Sequence, residues 1–304
     1  MSGSGDNPAP QAAAVVVGRD RDPQPVVRVV DLVKRFGDRT ILDGVNLEVY
    51  PGETMVIMGG SGCGKSTLLR HMIGSVWPDE GRVEIFGQDT SQLDPWQLDE
   101  VRRRFGILFQ SGALFNSMTV GDNVALPLRE HTDLDDDTIE IMVRMKLELV
   151  GLRYAADLMP AETSGGMKKR AGLARAIALD PEILFYDEPS AGLDPVTSAE
   201  IDQLMMDLAR KLGVASVVVT HEMDSAFRIA DRMAMLEQGR MLKVAPRGEF
   251  EKLRDSKPTG DETADLMRQF LRGDPDGPIT NRRMKGGYEQ DILAAAEGRS
   301  SHSR

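Results

Sequence analysis

The chain has 304 residues, 41% hydrophobic and 28% charged, enough to bury a full-sized core in one large domain or two small ones. Its 37 cations against 48 anions leave a formal net charge of −11, which disfavours a nucleic-acid binder, since phosphate backbones call for a cationic footprint. A lone cysteine, Cys63, excludes an internal disulfide and a cysteine-built zinc cluster, and no apolar run approaches the roughly 18 residues that span a bilayer.

Residues 1–24 are Gly, Ser, Pro, Ala and charge without periodicity or the apolar core of a signal peptide, and read as a disordered leader. From Val26 to about Met58, "VVRVVDLVKRF" and "VNLEVYPGETMVIM" are strand-like, with a Pro51-Gly52 turn between two strands. "GGSGCGKST" follows and opens a helix, "KSTLLRHMIG", whose buried face is Leu68, Leu69, Met72 and Ile73 and whose stop is Gly74. Residues 111–168 are more helical. There "DTIEIMVRMKLELVGL" carries a capping box, Asp137 with Glu140, ahead of an apolar face of Ile141, Met145 and Leu149. In "PAETSGGMKKRAGLARAIAL", Met167, Ala171, Ala174 and Ala178 form one stripe of a helix that stops before Pro181, and Gly172 within it implies close packing.

Strand-helix alternation resumes with "PEILFYDEP", the helix "DPVTSAEIDQLMMDLARKLG", the strand "ASVVVTHE" and the helix "DSAFRIADRMAML". Asp194 and Pro195 take N-cap and first-turn positions, and Ile201, Leu204, Met205, Leu208 and Leu212 form the stripe that follows. Buried strands between amphipathic helices imply an α/β fold with a mainly parallel sheet covered on both faces. Beyond about residue 250 the chain is polar, with one helical patch, "ADLMRQFLRG", and a tail of small and charged residues.

Gly59 to Ser66 fits G-x-x-x-x-G-K-[ST] in the required setting, after a strand and before a helix. Gly59, Gly60, Ser61, Gly62, Cys63 and Gly64 let backbone N–H groups turn inward around phosphate oxygens, and Thr67 follows in the first helical turn. Lys65 reaches the β- and γ-phosphates of a bound nucleotide, while the Ser66 hydroxyl ligates Mg²⁺. Asp187 emerges at the carboxyl end of "ILFYDE", where open α/β sheets place ligands, as a second Mg²⁺ ligand; adjacent Glu188 is the candidate base for the attacking water. Gln110 and His221 also end apolar strands, and that position alone lifts them above ordinary polar residues. "DLDDD" at 133–137 starts like a calcium loop, but Thr138 and Arg144 stand where Gly and Glu are needed, so it reads as an acidic helix cap.

Over about residues 26–250 the chain resembles the ATP-binding cassette ATPases, with motifs in the expected order. Phe36 matches the aromatic that stacks on adenine, "GGSGCGKST" the phosphate loop, Gln110 the Q-loop, "TSGGM" the signature, "ILFYDE" the metal-and-base strand, "AGLD" with Asp194 the D-loop, and His221 the switch histidine. The resemblance implies a P-loop NTPase fold, with a RecA-like core, an antiparallel β subdomain and a helical signature subdomain at about 111–168. The ATPase domain then runs over 25–250 and a C-terminal extension over 251–304. It also implies ATP and Mg²⁺ as cofactors, Gln110 as a further metal ligand, and a homodimer. In that dimer Ser164, Gly165 and Gly166 bind the γ-phosphate of the partner's ATP, a role that suits a hydroxyl and unshielded amides at a helix start. Thr163 and Met167 depart from the family's usual leucine and glutamine, leaving the core triplet intact.

"FQSGALFNSMTVGDNVALPLREHTDL", "MKLELVGL" and "RQFLRGDPDGPI" are similar to the ATPases of MCE-linked, Mla-type phospholipid transport systems. That likeness implies two permease subunits, an MCE-domain substrate-binding protein, in some systems a small STAS-domain protein, and a place on the cytoplasmic face of the inner membrane, peripheral through the permease. It implies as well that the C-terminal extension reaches a partner protomer. Two alternatives compete: a regulatory cassette ATPase coupled to a membrane complex without transport, and an importer ATPase for another small substrate. A soluble cassette protein of translation or DNA repair fits less well with one phosphate loop and an acidic balance. Leu114, Phe115 and Met118 read equally as a socket for a permease helix or as core under the helical subdomain. Cys63, at a helix start, reads either as a thiol of lowered pKa that maleimide attacks and Mg-ATP protects, or as a small loop filler.

Overall fold

In the computed structural model, which describes residues 24–280, the β-branched run after Val26 forms β1 (Val27–Phe36) and β2 (Arg39–Val49). They pair antiparallel, with Val27 opposite Val49 and Phe36 opposite Arg39. Pro51-Gly52 then turns the chain into β3 (Thr54–Met58), all five residues of which are buried. The glycine-rich loop leads to α1 (Lys65–Met72); Leu68, Leu69, Met72 and Ile73 are buried as expected, and Gly74 ends the helix at φ 65°. β4 (Glu80–Ile85) and the short β5 (Gln88–Asp89) complete an antiparallel sheet of order β2-β1-β4-β5.

α2 (Pro95–Arg103) and β6 (Phe105–Leu108) bring the chain to the helical layer: α3 (Val120–His131), α4 (Asp136–Leu149) and α5 (Gly165–Ala176). Then come β7 (Ile183–Asp187), α6 (Pro195–Leu212), β8 (Ala215–Thr220), α7 (Met223–Ile229), β9 (Arg232–Glu237), β10 (Arg240–Pro246), α8 (Arg247–Asp255) and α9 (Glu262–Arg272). The second sheet has order β10-β9-β3-β8-β7-β6, parallel from β9 to β6 with β10 as an antiparallel edge.

Alternate residues of the parallel strands serve two cores. Met55 and Ile57 of β3 face α1 and the antiparallel sheet, together with Phe185, Val217 and Val219. Val56 and Met58 face the helical side, together with Tyr186, Val218, Ala171, Ala174 and Ile201. Two covered faces explain why these strands are apolar at consecutive positions.

Two sequence readings are corrected. The first concerns α4, whose N-cap is Asp135, accepting from Thr138 N at 2.9 Å, and not Asp137. Its buried face is Ile139, Val143, Lys146 and Leu147, while Ile141 and Met145 are exposed. Lys146 hid that face from an apolar pattern; its ammonium pairs with Asp180. Second, "DSAFRIADRMAML" is not one helix: α7 ends at Ile229, and the last five residues of the stretch, from Arg232, begin β9, hydrogen-bonded between β3 and β10. Met, Ala and Leu favour helix locally, but the slot beside β3 overrides that preference.

"ADLMRQFLRG" is helical as expected, and α9 buries Leu266, Met267 and Leu271 in its own chain's core. Residues 1–23 of the leader and the end of the tail lie outside the described residues. No helix of the described residues is long and apolar enough to cross a membrane.

Gly172 sits against the loop after β6. A Cβ there would meet Gly112 O and Leu108 Cδ1, both at 2.9 Å. Gly172→Ala therefore sets a helix-propensity gain of up to about 1 kcal/mol against overpacking of about 1–3 kcal/mol. A net loss is expected, read as a lower urea midpoint at unchanged slope; an equal or higher midpoint would show that the loop yields freely.

Candidate active site

The carboxyl ends of β3, β7 and β8 lie side by side, because Met58 pairs with Thr220 and Asp187 with Val219. The residues that follow each strand therefore converge. Beyond β3 the loop needs its glycines: a Cβ at Gly59 (φ 155°) would come within 2.1 Å of Leu236 O, and one at Gly64 (φ 110°) within 2.9 Å of Leu42 Cδ2. Gly64 is also the N-cap of α1, where no described side chain caps the first-turn amides and none of the first-turn residues is acidic. Those N–H groups and the helix dipole are left facing the loop, an arrangement suited to an anion. Lys65, buried, donates from Nζ to the carbonyls of Gly59 at 2.8 Å and Gly60 at 3.1 Å, which holds its charge across the loop.

Ser66 Oγ lies 3.5 Å from Asp187 Oδ1. Burial first, and then the neighbouring Glu188 charge, hold the Asp187 carboxyl above the usual carboxylate range, opposed by the Ser66 hydroxyl, Arg70 and Lys65. Glu188 adopts φ 49°, a left-handed conformation that costs a non-glycine residue about 1–3 kcal/mol and recurs at functional sites. Both of its carboxylate oxygens lie 2.9 Å from His221 Nδ1. Phe36, Gly60, Ser61, Gly62, Gly64, Lys65, Ser66, Thr67, Gln110, Glu188 and His221 line one open cleft of about 740 Å³. It offers an aromatic, an anion cradle and an acid-base pair.

A family model described as ABC transporter matches residues 42–191. The chain is 45% identical over 271 residues, 89% of its length and 99% of the relative's, to the intermembrane phospholipid transport system ATP-binding protein MlaF of Haemophilus influenzae. It is 42% identical over 267 residues, 88% of its length and 74% of the relative's, to the probable ribonucleotide transport ATP-binding protein mkl of Mycobacterium leprae. The chain belongs to the ABC transporter ATP-binding family. Among solved structures it superposes on a dimeric ATP-binding cassette in a post-hydrolysis state bound to ADP and Pi, with a TM-score of 0.67 and 32% identity over 73% of this chain and 98% of that one. It is thus an ABC ATPase, and the α/β P-loop fold expected from the sequence is present.

Other motif residues of this cassette lie away from the cleft. Ser164 is the N-cap of α5, accepting from Met167 N at 3.2 Å, and Gly165 beside it is exposed. Gly166 is buried, and a Cβ there would meet Thr197 Cγ2 at 2.7 Å, so of the two amides read as unshielded, this one belongs to a residue packed against α6. None of the three lines the cleft of its own chain. Asp194 caps α6 by accepting from the backbone of Val196 and Thr197, and the Thr197 hydroxyl, more than these amides, holds its carboxyl below the ordinary value. The Leu114–Met118 cluster divides: Leu114 packs on the core, whereas Phe115 is 51% exposed, with the Arg175 guanidinium 5.9 Å from its ring centroid.

Sequence reasoning missed Phe270 and Lys169 in this region, as well as Arg39 and Ile41, which line the cleft beside Phe36 in the chain. Phe270 of α9 lines the cleft; its helix was legible, but nothing local told where that helix packs. Lys169 of α5 is buried and donates to Glu188 O at 3.1 Å. Burial pushes its ammonium below the usual lysine value, against the opposing pull of Glu188, Glu222 and Asp187.

The lowered pKa expected of Cys63 is reversed. Burial pushes the thiol up and outweighs the charge of Lys65, because the side chain is 7% exposed and turned toward Gly59. Maleimide should therefore label native protein at least about tenfold more slowly than urea-unfolded protein at neutral pH. Equal rates, followed by mass spectrometry, would restore the reactive reading.

Proposed function

We propose that this ATPase drives lipid movement as the motor subunit of an Mla-type transporter, and that the convergent cleft is its hydrolytic site. Phe36 stacks on adenine, the amides of residues 59–67 and Lys65 hold the phosphates, and Glu188 accepts the proton of the attacking water while His221 orients its carboxylate. The observation that carries the site is the Glu188–His221 contact of 2.9 Å at the strand ends beside the phosphate loop. Ser66 and Asp187, 3.5 Å apart, with Gln110 lining the same cleft as Ser66, present hard oxygen donors. The set fits Mg²⁺, which when bound would offset phosphate charge.

Ser164, Gly165 and Gly166 do not line the cleft of their own chain, which supports a homodimer in which each protomer supplies the signature to the other's nucleotide, with Asp194 in the D-loop at that junction. The transport partners in this reading are those that the Mla-type resemblance implies: two permease subunits, an MCE-domain protein and in some systems a STAS-domain protein, with the ATPase held on the cytoplasmic face of the inner membrane. The phospholipid reading is favoured because the match to the Haemophilus MlaF spans 99% of that protein, against 74% of the mycobacterial relative named for ribonucleotides.

Glu188→Gln should keep ATP binding in a fluorescent-nucleotide titration while turnover falls about 10²- to 10⁴-fold, the usual cost of losing a general base. Wild-type turnover in that variant would remove Glu188 from the role. For the transport reading, the tagged chain extracted in mild detergent should bring down a multi-span permease and an MCE-domain protein, with phospholipid in the extract. A membrane partner free of lipid and of any MCE protein would favour the regulatory alternative.

A further inference from the structure

Glu188 presents a mechanical difficulty. Its carboxylate has to point into the cleft from a backbone at φ 49°, a conformation with a standing energetic cost. On the amide side the peptide is held by the sheet, since Glu188 N donates to Val219 O at 2.9 Å. On the carbonyl side it is held by two donors, Ala191 N at 3.2 Å and the Lys169 ammonium at 3.1 Å. The first belongs to the same loop and moves with it. The second is anchored elsewhere, on α5, whose Ala171, Leu173 and Ala174 lie fully buried in the core.

Lys169 is itself costly. At 4% exposure its ammonium is largely out of water, and the hydrogen bond it makes among the described residues goes to a neutral carbonyl. A methionine would fill similar space without that desolvation. The charges facing it are Glu188, Glu222 and Asp187, and among the described residues it forms an ion pair with none of them.

We propose that Lys169 is a positioning residue for hydrolysis: from the rigid helix α5 it pins the Glu188 carbonyl, keeps that residue left-handed, and so aims its carboxylate at His221 and the cleft. The proposal rests on Glu188 serving as the base. Lys169 does not line the cleft, and acts through the Glu188 backbone. A displacement of about 1 Å at a reacting group is enough to cost roughly 10²-fold in rate.

The test uses full-length protein. Lys169→Met should lower kcat about 10- to 100-fold, with the affinity for ATP in a fluorescent-nucleotide titration changed by less than about twofold, because the phosphate loop is untouched. Lys169→Arg, which keeps N–H donors at a similar reach, should recover most of the rate. In a Glu188→Gln background, Lys169→Met should cost nothing further, since the carboxylate it aims is gone. A further loss there equal to that in the wild type, or a rate loss matched by weakened ATP binding, overturns the proposal. Urea midpoints separate folding from positioning; if methionine lowers the midpoint, Lys169→Gln replaces it and the same two comparisons decide. If Glu188→Gln itself turns over normally, it is the assignment of the base that has failed; if Glu188→Gln is slow and Lys169→Met is not, the positioning role alone has failed.

Discussion

Parallel pairing of β3 with β8, and of β8 with β7, is the constraint on which the rest of this molecule depends. It sets Met58, Thr220 and Asp187 at one edge of the sheet, so the loops leaving those strands meet. Each strand delivers a different chemistry to that edge: backbone amides and Lys65 from the first, His221 from the second, Asp187 and Glu188 from the third. A slip of one residue in either pairing would send each side chain of that strand into the other of the two cores, which is shaped for different residues, and would shift its end away from the shared edge. The register is secured from both sides because alternate residues serve two separate cores.

The site is assembled against local preference in several places. Glycines at 59 and 64 admit backbone approaches that no Cβ would allow. Glu188 sits left-handed, and Asp187 is held above its ordinary pKa by burial and by the next residue's charge. Each departure has a cost, and each is absorbed by a well-packed neighbour: Leu236 and Leu42 beside the loop, the β8 ladder and Lys169 beside Glu188. Such a site is a poor place to look for local consistency and a good place to look for function.

The cleft is also one-sided. It carries an aromatic, a phosphate cradle and an acid-base pair, yet the signature at the start of α5 lies outside it. Gly166 is pressed against Thr197 of α6, which ties the signature helix to the helix that Asp194 caps. The two motifs that serve a second protomer in the proposed dimer are thus packed together, apart from the residues proposed to hold nucleotide in this chain.

Much of this was legible without coordinates. The spacing of Gly59, Gly64, Lys65 and Ser66, the apolar run ending in Asp187, and the capping of α6 by Asp194 are local patterns, and local patterns are what a sequence states directly. Where two patterns competed, tertiary packing decided. Both Ile141–Met145 and Ile139–Val143 have helical spacing, and the helical layer took the second, accepting Lys146 because Asp180 was there to receive it. "RMAML" reads as helix until a vacant place beside β3 makes it a strand. Cys63 reads as activated until the depth of its side chain is known, for burial and a helix start push a thiol in opposite directions. Lys169 left no local signal, because its partner is a backbone carbonyl nineteen residues away and any side chain may precede a carbonyl. The sequence by itself determined the chemistry available and the order in which the chain presents it; the tertiary structure alone decided which face is buried and which groups meet, because those depend on neighbours distant along the chain.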